Sequence, residues 1–303
     1  MPGAADPRDS LVSGYIGLDT ALHAKRRGSR VRSGVFRAIV YCTAQNHQLS
    51  RGLTLALPFD SAEIRAILLD IEGTTTPIDF VHKKLFRFAS ERTEDFLWQH
   101  FSEPEVEDLV GQLGVANIED RSAGAPAWLD ETDEERLASA TKYVQWLIAR
   151  DSKITPLKTL QGRIWEDGFL RDELKGEVYP DVAPAFARWK SQGRLLAIFS
   201  SGSILAQQLL FEHSTAGNLA TFLDGHFDTT TGPKRDEISY RIIAESLGIA
   251  AKQFLFLSDV VAELDAARAA GMKTALSLRP GIHRPRISVH PEIHDFEEIF
   301  AAD

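Results

Sequence analysis

Asp70 and Glu72 stand two residues apart in Asp70-Ile71-Glu72-Gly73-Thr74, immediately after an apolar run. Three further chemistry-bearing groups follow along the chain: Ser200-Ser201-Gly202-Ser203, Lys234 within Gly232-Pro233-Lys234, and Ser258-Asp259. Singly, each has a plain structural reading. A carboxylate pair after a strand serves as a solvated turn, the serines as a helix N-cap, Lys234 as a surface lysine, and Asp259 followed by Glu263 as a helix cap. Together they are the parts of phosphoryl transfer. Phosphate monoesters hydrolyse so slowly in water that an enzyme must both position a nucleophile and spread charge. Asp70 can accept the phosphoryl group as an aspartyl-phosphate, splitting one hard displacement into two easier ones. Asp70 and Asp259 offer the hard oxygens that Mg²⁺ takes alongside water and phosphate. Lys234 offsets the remaining negative charge, hydroxyls and amides at Ser200 and Ser201 orient the phosphate oxygens, and Glu72 can move protons to the leaving group and from the attacking water.

In an open α/β sheet, ligands bind beyond the carboxyl ends of the strands, so these residues need strands to end where they begin. The apolar runs Ile64–Asp70, Arg194–Ser200, Gln253–Asp259 and Lys273–Leu278 fit buried parallel strands. Helical patterns link them. Ile238–Leu247 places Ile238, Ile242 and Leu247 near one face, and Val261–Ala270 is alanine-rich and closed by Gly271. The expected fold is a doubly wound, mostly parallel α/β sheet with helices on both faces. More than 120 residues separate the first two strands, far beyond a crossover helix, and the insert carries helical faces at Val81, Leu85, Phe88 and Phe96 and at Leu137, Ala140, Val144 and Leu147. The expected organisation is an N-terminal extension over 1–61, a catalytic core over 62–79 and 176–303, and a helical cap over 80–175.

The net charge of −9 is uneven: residues 1–61 hold eight basic against four acidic side chains, leaving 26 against 39 for the rest. An acidic body argues against a nucleic-acid substrate. The single cysteine, Cys42, excludes an internal disulfide framework and suits a reduced compartment. No stretch approaches the roughly 20 apolar residues that span a bilayer, so no membrane segment is expected. The extension partly fits a transit peptide, but Asp6, Asp9 and Asp19 favour a tail or an upstream start.

The motifs Asp70-Ile71-Glu72-Gly73-Thr74-Thr75, Leu160-Gln161-Gly162-Arg163-Ile164-Trp165, Ser200-Ser201-Gly202-Ser203 with Ala206-Gln207, and Phe256-Leu257-Ser258-Asp259 resemble the enolase-phosphatase (acireductone synthase) family of the haloacid dehalogenase superfamily. The resemblance runs from about Ile64 to Phe300, and Glu72, where most of the superfamily has aspartate, is itself a family mark. It implies a monomeric cytoplasmic enzyme, also nuclear in a eukaryote. This enzyme would convert 2,3-diketo-5-methylthiopentyl-1-phosphate to acireductone plus phosphate in methionine salvage, with one Mg²⁺ per chain. It also implies metal ligation by Asp70, Glu72 and Asp259, catalysis by Asp70, Glu72 and Lys234, and substrate contacts from Ser200, Ser201 and Lys234. Arg87-Phe88 departs from the family's more usual Pro-Tyr, away from the chemistry. The alternatives are a superfamily phosphatase for another small phosphate ester and a phosphorylation-responsive binding module, against which the long insert argues. Trp165 and Phe169 are expected in the core ahead of a substrate wall, Tyr143 and Trp146 in the cap core, and His290 and His294 in a solvated turn around Pro291.

Overall fold

The computed structural model describes residues 61–300. Residues 1–60 of the expected extension, with the targeting reading and Cys42, lie outside the described residues. The strands are β1 Ala66–Leu69, β2 Leu195–Phe199, β3 Gly225–Phe227, β4 Phe254–Ser258, β5 Lys273–Ser277 and β6 Glu292–Ile293. They form one sheet in the order β3-β2-β1-β4-β5-β6, with every neighbouring pair parallel. The chain builds outward from β1 in one direction and then returns to lay β4 on its other side. The crevice between β1 and β4 is therefore the topological switch point, where ligands of such sheets bind.

Alternation along the strands explains why both faces need cover. Ile67, Leu69, Leu196, Ile198, Leu255 and Leu257 belong to one apolar cluster, while Ala66, Leu68, Ala197, Phe199, Phe254 and Phe256 belong to another. Helices α1 Ile78–Phe80, α2 Phe86–His100, α3 Pro104–Asp120, α4 Asp133–Ala149, α5 Thr155–Leu170 and α6 Val182–Ser191 all fall between β1 and β2. Helix α7 Ile204–Glu212 joins β2 to β3, α8 Glu237–Ser246 joins β3 to β4, and α9 Val261–Ala269 joins β4 to β5. Helix α1 runs through a π-helical turn, Val81–Leu85, into α2. Elsewhere the starts are conventional: the Thr132 side chain accepts from Glu135 N–H before α4, and Pro156 occupies the first turn of α5.

The inserted helices pack through the expected faces. Val81, Leu85 and Phe96 are buried with Leu137, Ala140, Val144 and Leu147, and Phe88 is half-buried beside them. They share one cluster with the sheet face that carries Ile67 and Leu69. Tyr143 is buried, stacks on Trp146 and donates to Asp120 Oδ2 (2.7 Å).

Helix α8 differs from expectation in the face it buries. Ile238 and Ile242 point to solvent at 57% and 40% exposure, while Tyr240 and Ile243 are fully buried. Tyr240 wins because its ring packs edge-on against Phe199 and tilted against Phe256, and its hydroxyl donates to Lys234 O (2.7 Å). The rotation thus holds the lysine loop. Urea denaturation of Ile243→Ala should show a loss of about 2–5 kcal/mol, whereas Ile242→Gln should stay within about 0.5 kcal/mol; the reverse order would put the isoleucines back inside. His290 also departs from the expected solvated turn. It is buried, with Nδ1 2.7 Å from Thr274 Oγ1 and Nε2 3.2 Å from Asp265 Oδ1.

Candidate active site

Asp70 follows β1 directly, and the parallel register brings its main-chain N–H to Leu257 O of β4 (3.0 Å). Its carboxylate is buried and held from several sides. Ile71 N–H and Lys234 Nζ donate to Oδ1 at 2.7 and 2.6 Å, and Ser258 Oγ donates to Oδ2 at 3.4 Å. Lys234 also donates to Glu263 Oε2 at 2.6 Å and lies 5.8 Å from the centre of the Phe199 ring. Burial opposes the lysine's charge, but Asp70 and then Glu263 overcome it and hold its pKa above the ordinary value.

The turn after Asp70 is tight. The N–H groups of Thr74, Thr75 and Thr76 all donate to Ile71 O, and Gly73 N–H donates to Thr76 O (2.8 Å). Gly73 adopts φ +68°, and a Cβ there would lie 2.4 Å from Asp259 Oδ2. This close approach seats the Asp259 carboxylate against the turn. Burial, then the charges of Asp70 and Glu263, push Asp259 up to about 7. Burial and Asp70 likewise raise Glu72, whose half-exposed carboxylate lies 3.8 Å from His82 Nε2. Glu263 is raised by burial and Asp70 despite its ion pair with Lys234.

The site is thus over-supplied with negative charge: four carboxylates face one buried ammonium. That is an environment a divalent cation would relieve, and the donors are hard oxygens. Among the described residues no group of three or more His, Cys, Asp or Glu side chains is arranged to hold a metal alone. Asp70, Asp259 and an oxygen of Glu72 are the residues that could hold such an ion, one that takes few protein ligands and completes its shell with water, as Mg²⁺ does.

A cleft of about 650 Å³, counting its open mouth, adjoins these acids. Glu72, Ser200, Ser201 and Gly202 line its polar end; Val81, Leu85, Phe86 and Trp165 from the insert line its apolar wall. Trp165 is buried in the core cluster, donates to Leu85 O (2.9 Å) and also borders the cleft, whereas Phe169 stacks on His213 in the core. The serine loop is braced from below. Gln207 Nε2 donates to Gly202 O (3.1 Å) and Phe227 O (2.8 Å), and Asp228 Oδ2 accepts from Ile204 N–H (3.3 Å).

Residues 64–271 match the family model described as haloacid dehalogenase-like hydrolase. Proteins named Enolase-phosphatase E1 are similar over most of the chain. The one from Synechococcus elongatus is 50% identical over 78% of this chain and 98% of its own length. That from Drosophila grimshawi is 46% identical over 71% and 86%. The chain belongs to the enolase-phosphatases of the haloacid dehalogenase-like hydrolases. A solved structure, the Unknown transcript 4 protein of Saccharomyces cerevisiae, superposes with a TM-score of 0.64 at 31% identity, covering 77% of this chain and 99% of that one. With membership of the enolase-phosphatases, the reading as a binding module falls away.

Not every residue of this enolase-phosphatase site was among the sequence candidates. Glu263, read from sequence as a cap, completes the Lys234–Asp70 cluster together with Ser258 of the Ser258-Asp259 pair, while Lys153 and Lys158, which sequence did not single out, reach the cleft from the insert. The signal for Glu263 was its place in the first turn of α9, four residues after Asp259, where an acid also caps. The lysines carried none. Gly73 offers a direct check on the turn. Gly73→Ala should cut phosphate release at least about tenfold, since it needs an L residue at positive φ against Asp259, and an unchanged rate would show that the turn yields.

Proposed function

We propose that the chain converts 2,3-diketo-5-methylthiopentyl-1-phosphate to acireductone and phosphate, first enolising the diketone and then removing the phosphoryl group through Asp70. The observation that carries this reading is the identity of 45–50% over 78% of the chain to Enolase-phosphatase E1 proteins that it covers almost completely. The site geometry supports it. The buried Asp70 carboxylate is aimed by Lys234 and Ile71 N–H, so little reorganisation precedes attack.

In the first half, Glu72 takes the proton from the carbon α to the diketone, and a carbonyl oxygen takes one from water to become the enol. Burial and then Asp70 raise its pKa above the ordinary carboxylate value, the direction that favours a carboxyl that both takes and gives a proton. In the second half, an Asp70 oxygen bonds to phosphorus as the ester oxygen leaves with a proton from Glu72. Water then attacks phosphorus, gives its proton to Glu72, and frees Asp70. Ser200 and Ser201, at the β2 end beside the α7 N-terminus, orient the phosphate oxygens, and Lys234 offsets their charge. Asp70, Asp259 and Glu72 are the residues that would hold Mg²⁺, which when bound neutralises charge between carboxylate and phosphate. The apolar wall of Val81, Leu85, Phe86 and Trp165 receives the thioether end and keeps water from the enediol.

No helix of the described residues is long and apolar enough to cross a membrane. The proposal places the enzyme in the cytoplasm as a monomer acting on a small phosphorylated ligand. The decisive assay follows phosphate release and enediol absorbance together, with Mg²⁺ and with a chelator. Coupled, metal-dependent appearance of both products is expected; hydrolysis of simple esters without this substrate would retain the phosphatase and remove the diketone.

A further inference from the structure

Arg279 follows β5 and lies outside the cleft lining, yet it is 3% exposed and tied to the catalytic turn. Its Nε donates to Thr74 O at 2.9 Å. Its Nη1 donates to Asp181 Oδ2 at 2.7 Å and to His294 O at 3.4 Å. The guanidinium carbon sits 4.5 Å from the Tyr179 ring centre and 4.3 Å from that of Phe296, held between two aromatic faces. Asp181 is fixed in turn, since the same Oδ2 accepts from Phe296 N–H at 2.7 Å.

The neighbouring carbonyls of the turn are captured as well. Ser277 Oγ donates to Gly73 O (3.2 Å) and Tyr179 N–H donates to Thr75 O (3.0 Å). Three successive carbonyls, Gly73 to Thr75, are therefore gripped by three residues from two segments outside the turn, while its N–H groups close inward on Ile71 and Thr76. Ile282, from the loop that follows Arg279, presses on Gly73 from the same region as Asp259. The turn has no slack.

We propose that Arg279, backed by Asp181, is a positioning residue that sets the distance between the Glu72–Gly73 main chain and the Asp259 carboxylate. This rests on the proposed role of Asp70, Glu72 and Asp259 as the metal-holding set. Stability alone does not account for the arrangement. A buried ion pair is often no better for stability than apolar residues of the same volume. This one also leaves Arg279 Nη2, Thr74 Oγ1 and Thr76 Oγ1 buried without hydrogen-bond partners, each a cost to folding. What the planar fork supplies is direction: it reaches a carbonyl and a carboxylate at once, which an ammonium cannot do in the same geometry.

The test uses the full chain with Arg279→Lys and Asp181→Asn, and Arg188→Lys as the comparator. Arg188 donates to the carbonyls of Phe296, Ile299 and Phe300 and touches no part of the turn. Wild-type turnover of the diketone phosphate is read first; its absence overturns the proposed substrate and leaves the Mg²⁺ measurement to judge the network. Calorimetric titration with MgCl₂ alone should show affinity about 10- to 100-fold weaker in Arg279→Lys and Asp181→Asn. kcat should fall by about 10- to 100-fold with KM little changed. Arg188→Lys should lower Tm and leave both values at wild type. Equal Mg²⁺ affinity and kcat in all folded variants, or the Arg188→Lys signature in Arg279→Lys, would overturn the proposal. Failure of both turn variants to fold counts against it too, because the network would then serve folding rather than position.

Discussion

Asp70→Asn is expected to lose phosphate release by at least about 10⁴-fold while still exchanging the substrate's α-proton with solvent. The size follows from removing a nucleophile that acts as one unit with its neighbours. Asparagine keeps the shape of the side chain and can still accept from Ile71 N–H and Lys234, so the loss falls on chemistry rather than on folding. The separation of the two halves follows from geometry. Glu72 is a different carboxylate, at the cleft, and it is the one assigned to the enolisation. The enolised phosphate ester should accumulate in the variant, read as enol absorbance without inorganic phosphate. Phosphate release at the wild-type rate would remove Asp70 from the nucleophilic role.

Lys234→Met carries the second large effect, and it acts on stability and rate together. The ammonium is bonded to Asp70 and Glu263 in a nearly water-free cluster, so its removal leaves two carboxylates facing each other. Breaking a buried pair in this way costs about 3–5 kcal/mol, and losing a preorganised donor at the phosphate costs about 10² to 10³ in kcat. The two losses can be pulled apart. Lys234→Met with Glu263→Gln should recover part of the melting temperature, because one of the two uncompensated charges is gone and the repulsion between them with it, yet stay slow, because nothing replaces the cation. Recovery of activity along with stability would make Lys234 a structural residue only.

The parts of this fold that were legible in sequence share a physical cause. Strands β1, β2, β4 and β5 are covered by helices on both faces, so they are written as largely apolar runs, the first three ending in Asp70, Ser200 and Asp259 and the fourth at Leu278. Strands β3 and β6 lie at the sheet edges with three and two residues, too short for any period to register. The face of α8 was misread because isoleucine outranks tyrosine in apolarity, whereas the packing is decided by ring contacts with Phe199 and Phe256 that only the folded sheet creates. Asp70, Glu72, Ser200, Ser201, Lys234 and Asp259 could be nominated from sequence because each sits beside a strand end or a turn signature. Arg279 was not, because it acts through Thr74 and Asp181, far from it in the chain, with no motif around it to mark it.

The π-helical turn at Val81–Leu85 bears on how the insert is aimed. Such a turn holds one residue more than the same length of α-helix, and one residue of α-helix is a rotation of about 100°. Every side chain from Phe86 onward is therefore phased against the core by that surplus. Were Val81–Leu85 to wind as ordinary α-helix with every residue kept, Phe86 would turn by about 100° away from the cleft, whereas deleting one residue there would let the helix run on unbroken with Phe86 still facing it, so the bearing of the insert is set within five residues.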